Sequence, residues 1–204
     1  MLFTMFSTTI SARFFTVVLD QGVQHDTTGS HEALTWLKQS LEDIFPHDVR
    51  IVLSRTSQET IDPLQSASFS NCINADLHIV LNVFIEIESA KTIRIYTCST
   101  QNSENIHQQK NELLTFTPAH RVHEKHAQTS KKIASLFFNT AKNNGVIPVF
   151  KPIALPLKPL QAVIAPSFLV EIGISKQKEW KVYFSQLFEG LKEVIMIASK
   201  NVHE

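Results

Sequence analysis

The chain alternates short apolar runs with stretches of helical periodicity. Phe14-Phe15-Thr16-Val17-Val18-Leu19-Asp20 is a β-branched and aromatic run followed by Gly22, the pattern of a buried strand that opens into a loop. After a polar loop, apolar residues recur at Leu34, Leu37, Leu41 and Ile44 and stop before Pro46, which predicts an amphipathic helix. Residues 49–53 predict a second strand, 63–73 a weaker helix, 75–84 a third strand apolar enough to be central, and 92–96 a fourth. Residues 99–118 are polar and read as an exposed excursion ahead of a helix over 120–143. Pro148, Pro152, Pro156 and Pro159 break any helix or central strand between them and predict an extended loop. Residues 167–172 give a fifth strand. Trp180, Phe184, Leu187, Leu191, Val194 and Ala198, at helical spacing, predict a closing amphipathic helix.

This order predicts a single α/β domain over residues 14–200, with a mostly parallel central sheet and helices on both faces. Residues 1–13 read as a flexible N-terminus or a leader remnant, because their apolar stretch lacks the basic head of a secretion signal. The 43% apolar content is enough for a packed core and carries no disorder signature. Lys plus Arg and Asp plus Glu each number 19, so the whole-chain charge recommends neither nucleic acid nor an acidic membrane as partner. The apolar runs are well short of the roughly 18 residues a membrane-spanning helix needs. Cys72 and Cys98 lack metal-type spacing and are expected to be buried structural thiols.

Several motifs carry a resemblance. Ala165-Pro166-Ser167-Phe168-Leu169-Val170-Glu171-Ile172-Gly173-Ile174-Ser175, with Glu179 after it, resembles the Pro-Ala-x-Leu-x-Glu-x-Gly-Phe-x-Ser/Asn-x-x-x-Glu signature of the type 3 zinc-dependent N-acetylmuramoyl-L-alanine amidases. Val17-Val18-Leu19-Asp20-x-Gly22, Val52-Leu53-Ser54-Arg55 and Asn74-Ala75-Asp76-Leu77 are similar to that family's first-strand, Leu-Thr-Arg and Ala-Asp-Leu-Phe segments, in the same order. The resemblance runs from about residue 14 to residue 198.

It implies hydrolysis of the amide between muramic acid and the stem-peptide L-alanine. Zinc, held by two histidines and a glutamate, activates a water, and a second glutamate is the general base. Glu32 matches the ligand glutamate and Glu171 the catalytic one. The two histidine positions fall on Val23 and Asn82. Valine cannot bind zinc, and an amide oxygen is a poor zinc donor beside imidazole. The expectation is a degenerate member that has lost its zinc and acts by binding peptidoglycan glycan-peptide or an envelope protein, in a periplasmic or envelope location.

The alternative is an active amidase with a rebuilt zinc site. His25, two residues beyond Val23 in a short loop, is the substitute ligand there; His31 adjoins Glu32 but on a helix points about 100° away from it. His78 is expected to be a satisfied core histidine. His120, His123 and His126 are spaced to chelate a metal on a helix, but are expected to lie on a solvated polar face. An α/β protein of unrelated cytoplasmic role is the third reading.

Overall fold

The computed structural model describes residues 13–22, 29–55, 62–85, 91–99, 119–174 and 180–200. Val23, His25, Ser175, Glu179, residues 1–12 and 100–118 of the expectations above lie outside them. The elements are β1 (Phe15–Gln21), α1 (Gly29–Ile44), β2 (Val49–Leu53), α2 (Pro63–Cys72), β3 (Leu77–Ile85) and β4 (Thr92–Cys98), then a 3-10 helix (Ala119–His126), α3 (Ala127–Asn143), β5 (Ile153–Leu155), α4 (Lys158–Gln161), β6 (Ser167–Ile174) and α5 (Trp180–Lys200).

They form one six-stranded sheet in the order β2-β1-β3-β6-β4-β5. β2, β1, β3 and β6 are parallel, whereas β4 runs antiparallel to β6 and pairs in parallel with β5. The sheet is thus mostly parallel, as its apolar central strands require. β1 is buried along its whole length, and Ile79, Leu81, Val170 and Ile172 of β3 and β6 are at most 1% exposed. Alternation sorts the side chains to two faces. The odd positions of β3 and the even positions of β6 pack with Leu37, Phe137, Phe184 and Leu187 of α1, α3 and α5. On the other face, Val80 and Leu169 pack with Leu160 of α4, and α2 contributes Ala67 against Val163 and Ala165.

Local chemistry sets the element ends. Asp62 caps α2 by accepting from the Leu64 N–H at 2.8 Å, with Pro63 in the first helical turn. α2 stops where Asn74 turns left-handed (φ 51°), and the Ala75 N–H returns to the Ser70 carbonyl at 3.0 Å. Asp76, two residues on, accepts from the Thr16 N–H and the Arg13 guanidinium, each at 2.9 Å, and so fixes the start of β1.

Three expectations change. The proline-rich stretch is not wholly loop: it holds the edge strand β5 between Pro152 and Pro156 and the single-turn α4 with Pro159 in its first turn, both places where a missing N–H costs little. The helix expected over 120–143 begins as a 3-10 segment and becomes α-helical only at Ala127. Cys98 is buried and its thiol pushed up to about 11 by burial, but Cys72 is exposed.

Candidate functional site at the strand ends

Register brings the sequence-matched residues of the central strands together. Gln21 pairs with Leu81, so Gly22, which donates its N–H to the Leu81 carbonyl at 3.1 Å, stands beside Asn82. Asn82 pairs with Glu171, and Glu171 pairs with Arg94 across the antiparallel β6–β4 boundary. A single row of Gly22, Asn82, Glu171 and Arg94 therefore crosses four strands at the C-terminal edge of the parallel set. Neighbours in such a row are about 4.8 Å apart and share one sheet face.

The row is closely coupled. A Cβ on Gly22 would fall 1.8 Å from Asn82 Oδ1, so the absent side chain is what leaves space for the amide. Asn82 Oδ1 is buried and meets no hydrogen-bond donor among the described residues. Glu171 is half-buried, and Tyr96, two residues along β4 from Arg94 and on the same face, lies within reach of its charge. The Tyr96 phenol is pushed up, first by burial and then by the nearby Glu171 carboxylate, with Arg94 opposing.

Beneath the row lies a second polar group. Asp20 is 2% exposed, accepts a short hydrogen bond from Ser54 Oγ and lies 3.6 Å from the Arg55 guanidinium. Arg55, itself buried, also donates to the carbonyls of Gln21 and Gly22. The Asp20-x-Gly22 and Leu53-Ser54-Arg55 motifs thus form one clamp that holds the end of β1. His78, on the same face, is fully buried as expected. It is not a satisfied core histidine, since neither ring nitrogen has a hydrogen-bond partner among the described residues. Burial pushes its pKa down to about 4, against the pull of Asp20.

Glu32 is exposed in the first turn of α1, a helix packed on the other sheet face, and no described contact ties it to Asn82 or Glu171. His31 is half-buried in the same turn. His123 does not lie on a solvated face: it is 6% exposed, with Nδ1 2.9 Å from the Gln161 carbonyl and Nε2 3.3 Å from the Ser99 carbonyl, pinning the 3-10 helix to α4 and the end of β4. Sequence reasoning missed Arg94 and Tyr96. Their alternation with Ile93 and Ile95 in an apolar strand was the available signal, but only the antiparallel register shows that they face Glu171.

Among the described residues, no three His, Cys, Asp or Glu side chains assemble into a group able to hold a metal. Asn82 offers only an amide, and Glu171 pairs with Arg94 across the β6–β4 boundary. Among the described residues, this donor set does not fit the zinc site of two histidines and a glutamate that the resemblance implies. A groove of about 710 Å³ does exist at the opposite, N-terminal edge of the sheet, among Arg13, Phe14, Arg50, Asn74 and Ile164, but its lining holds no carboxylate and no imidazole. None of the described helices is long and apolar enough to cross a membrane.

No protein-family model matches the sequence, and no curated protein matches it. Solved structures do match. The N-acetylmuramoyl-L-alanine amidase of Clostridium difficile 630 is 17% identical over 90% of this chain and 95% of its own, with a TM-score of 0.55. The catalytic domain of CwlV, the N-acetylmuramoyl-L-alanine amidase of Bacillus (Paenibacillus) polymyxa var. colistinus, is 13% identical over 89% of this chain and 96% of its own, with a TM-score of 0.53. The CwlD amidase of Clostridioides difficile, solved in complex with the GerS lipoprotein, is 14% identical over 91% and 98%, with a TM-score of 0.51. Over nearly its whole length, this chain has the fold of the N-acetylmuramoyl-L-alanine amidases.

Proposed function

We propose that the chain is a non-catalytic, amidase-fold domain of the cell envelope that binds the glycan-peptide of peptidoglycan along its strand-end row. The observation that carries this reading is the setting of Glu171. A general base works beside the metal that activates its water, but here the position next to Glu171 is filled by Asn82 and the one across the sheet by Arg94. Such a row has little to activate water with. It retains amide, carboxylate, guanidinium and phenol groups, each half-buried on one sheet face, of the kind that bind sugar hydroxyls and peptide amides.

The test is sedimentation with dye-labelled peptidoglycan sacculi in zinc-replete buffer. The protein is expected in the pellet and the dye to stay there with it, and Asn82→Ala with Glu171→Ala should weaken pelleting by about tenfold. Failure to pellet contradicts the binding role. Dye release abolished by a chelator contradicts the non-catalytic one, and would favour zinc held by His25, Glu32 and a further donor, with Glu171 as base.

A further inference from the structure

The balanced whole-chain charge conceals a segregation. Between Glu124 and Glu171 the chain carries Lys125, Lys131, Lys132, Lys142, Lys151 and Lys158 and no aspartate or glutamate. Two of these lysines, Lys131 on α3 and Lys151 just ahead of β5, line one groove of about 440 Å³ between the helix and the outermost strands. Thr97 of β4 is its floor, 3% exposed, and Ser135, Phe138 and Asn139 of α3 are its wall. Thr97 pairs with Ala154, so both side chains lie on the sheet face that carries Ile93 and Ile95, whereas Ile153 and Leu155 lie on the opposite one.

The lining is chemically one-sided. It holds two ammonium groups, two hydroxyls and an amide, and no carboxylate. Among the described residues, Lys131 and Lys151 stand in no ion pair, and the side chains of Thr97, Ser135 and Asn139 make no hydrogen bond. Lys131, Ser135, Phe138, Asn139 and Lys142 recur every three or four residues, so they form one stripe of α3. The Lys142 ammonium lies 5.7 Å from the centre of the Phe138 ring and brings a third cation to the end of the groove. From Lys131 to Lys142 the stripe runs roughly 16 Å at the helical rise. Cations spread over that length suit a run of linked anions better than a single one. They are lysines throughout, point charges that bind the tetrahedral phosphate group, and the neutral hydroxyls and amide can donate to its remaining oxygens.

We propose that the groove between α3 and β5 binds a ligand of linked phosphate groups, with Lys131, Lys142 and Lys151 meeting its charges and Thr97, Ser135 and Asn139 donating to its oxygens. This stands without the peptidoglycan reading, because the groove lies on the sheet face opposite to the row of Asn82 and Glu171. The test is isothermal titration of the full chain with sodium tripolyphosphate at about 0.1 M salt. One site is expected, with inorganic phosphate bound about tenfold more weakly because it reaches fewer of the cations. Lys131→Gln with Lys151→Gln should weaken tripolyphosphate binding on the order of tenfold or more. Lys132→Gln with Lys158→Gln removes the same charge from outside the groove and should leave binding within about twofold. Thr97→Val keeps the shape of the floor without its hydroxyl and should weaken binding about fivefold at unchanged circular dichroism. No binding, an equal loss in the two lysine pairs, or a Thr97→Val protein that binds like the original would each overturn the site, the second in favour of diffuse attraction to a positive surface. Binding to phosphatidylglycerol vesicles without binding to tripolyphosphate would overturn it in favour of a membrane contact.

Discussion

Asn82 and Gly22 show how much of the strand-end row depends on one missing side chain. With Asn82 Oδ1 only 1.8 Å from where a Cβ of Gly22 would sit, Gly22→Ala must expel the amide from its place. Forced overpacking of this kind costs about 1–3 kcal/mol. Adding Asn82→Ala should restore part of that loss, and a double-mutant cycle in urea with additive effects would refute the contact. His78 makes a second residue-scale prediction. Its folded pKa of about 4 lies below the unfolded 6.5, so the unfolded chain takes up the proton first. Stability is therefore full above pH 6.5, falls as pH drops through the window between these values, and has lost about 3 kcal/mol by its lower end. His78→Leu should flatten that part of the pH profile; a profile unchanged by the substitution would show that the ring protonates freely in the fold.

Among the elements, α5 does more than cover the sheet. Gln186, 3% exposed, accepts from the Ile147 N–H at 3.1 Å and donates to the carbonyls of Ala141 and Ile147 at 2.8 and 3.0 Å. It thereby ties the end of α3 to the loop that leads towards β5, and Gly145 leaves room for it, since a Cβ there would lie 1.9 Å from the amide carbon. Gln186→Leu strands three backbone groups and should cost about 2–4 kcal/mol in thermal or urea unfolding. A cost within experimental error would mean that water replaces the amide. β3 and β6 were legible in the sequence because strands buried on both faces must be continuously apolar, and α1 and α5 because their buried stripes repeat at helical spacing. β5 and α4 were not. Four prolines read as a loop, and only the position at the sheet edge and in a first helical turn makes them tolerable.

At the scale of the whole molecule, the two quantities that matter most for function are ones a linear reading hides. The charge balance of 19 against 19 averages over a stretch from 125 to 170 that holds lysines but no aspartate or glutamate. The partners of Glu171 come from a strand some 75 residues earlier in the chain, whose antiparallel direction no local pattern announces. Asn82 and Glu171 could be named from the sequence, and the register places them side by side; Arg94 and Tyr96 could not. The chain has the amidase fold, and we propose that it lacks the metal chemistry. Metal analysis of the protein purified from zinc-supplemented medium tests this most directly. The account predicts zinc far below one equivalent per chain, unchanged by Glu32→Gln; one tightly held equivalent, lost with Glu32→Gln, would contradict it.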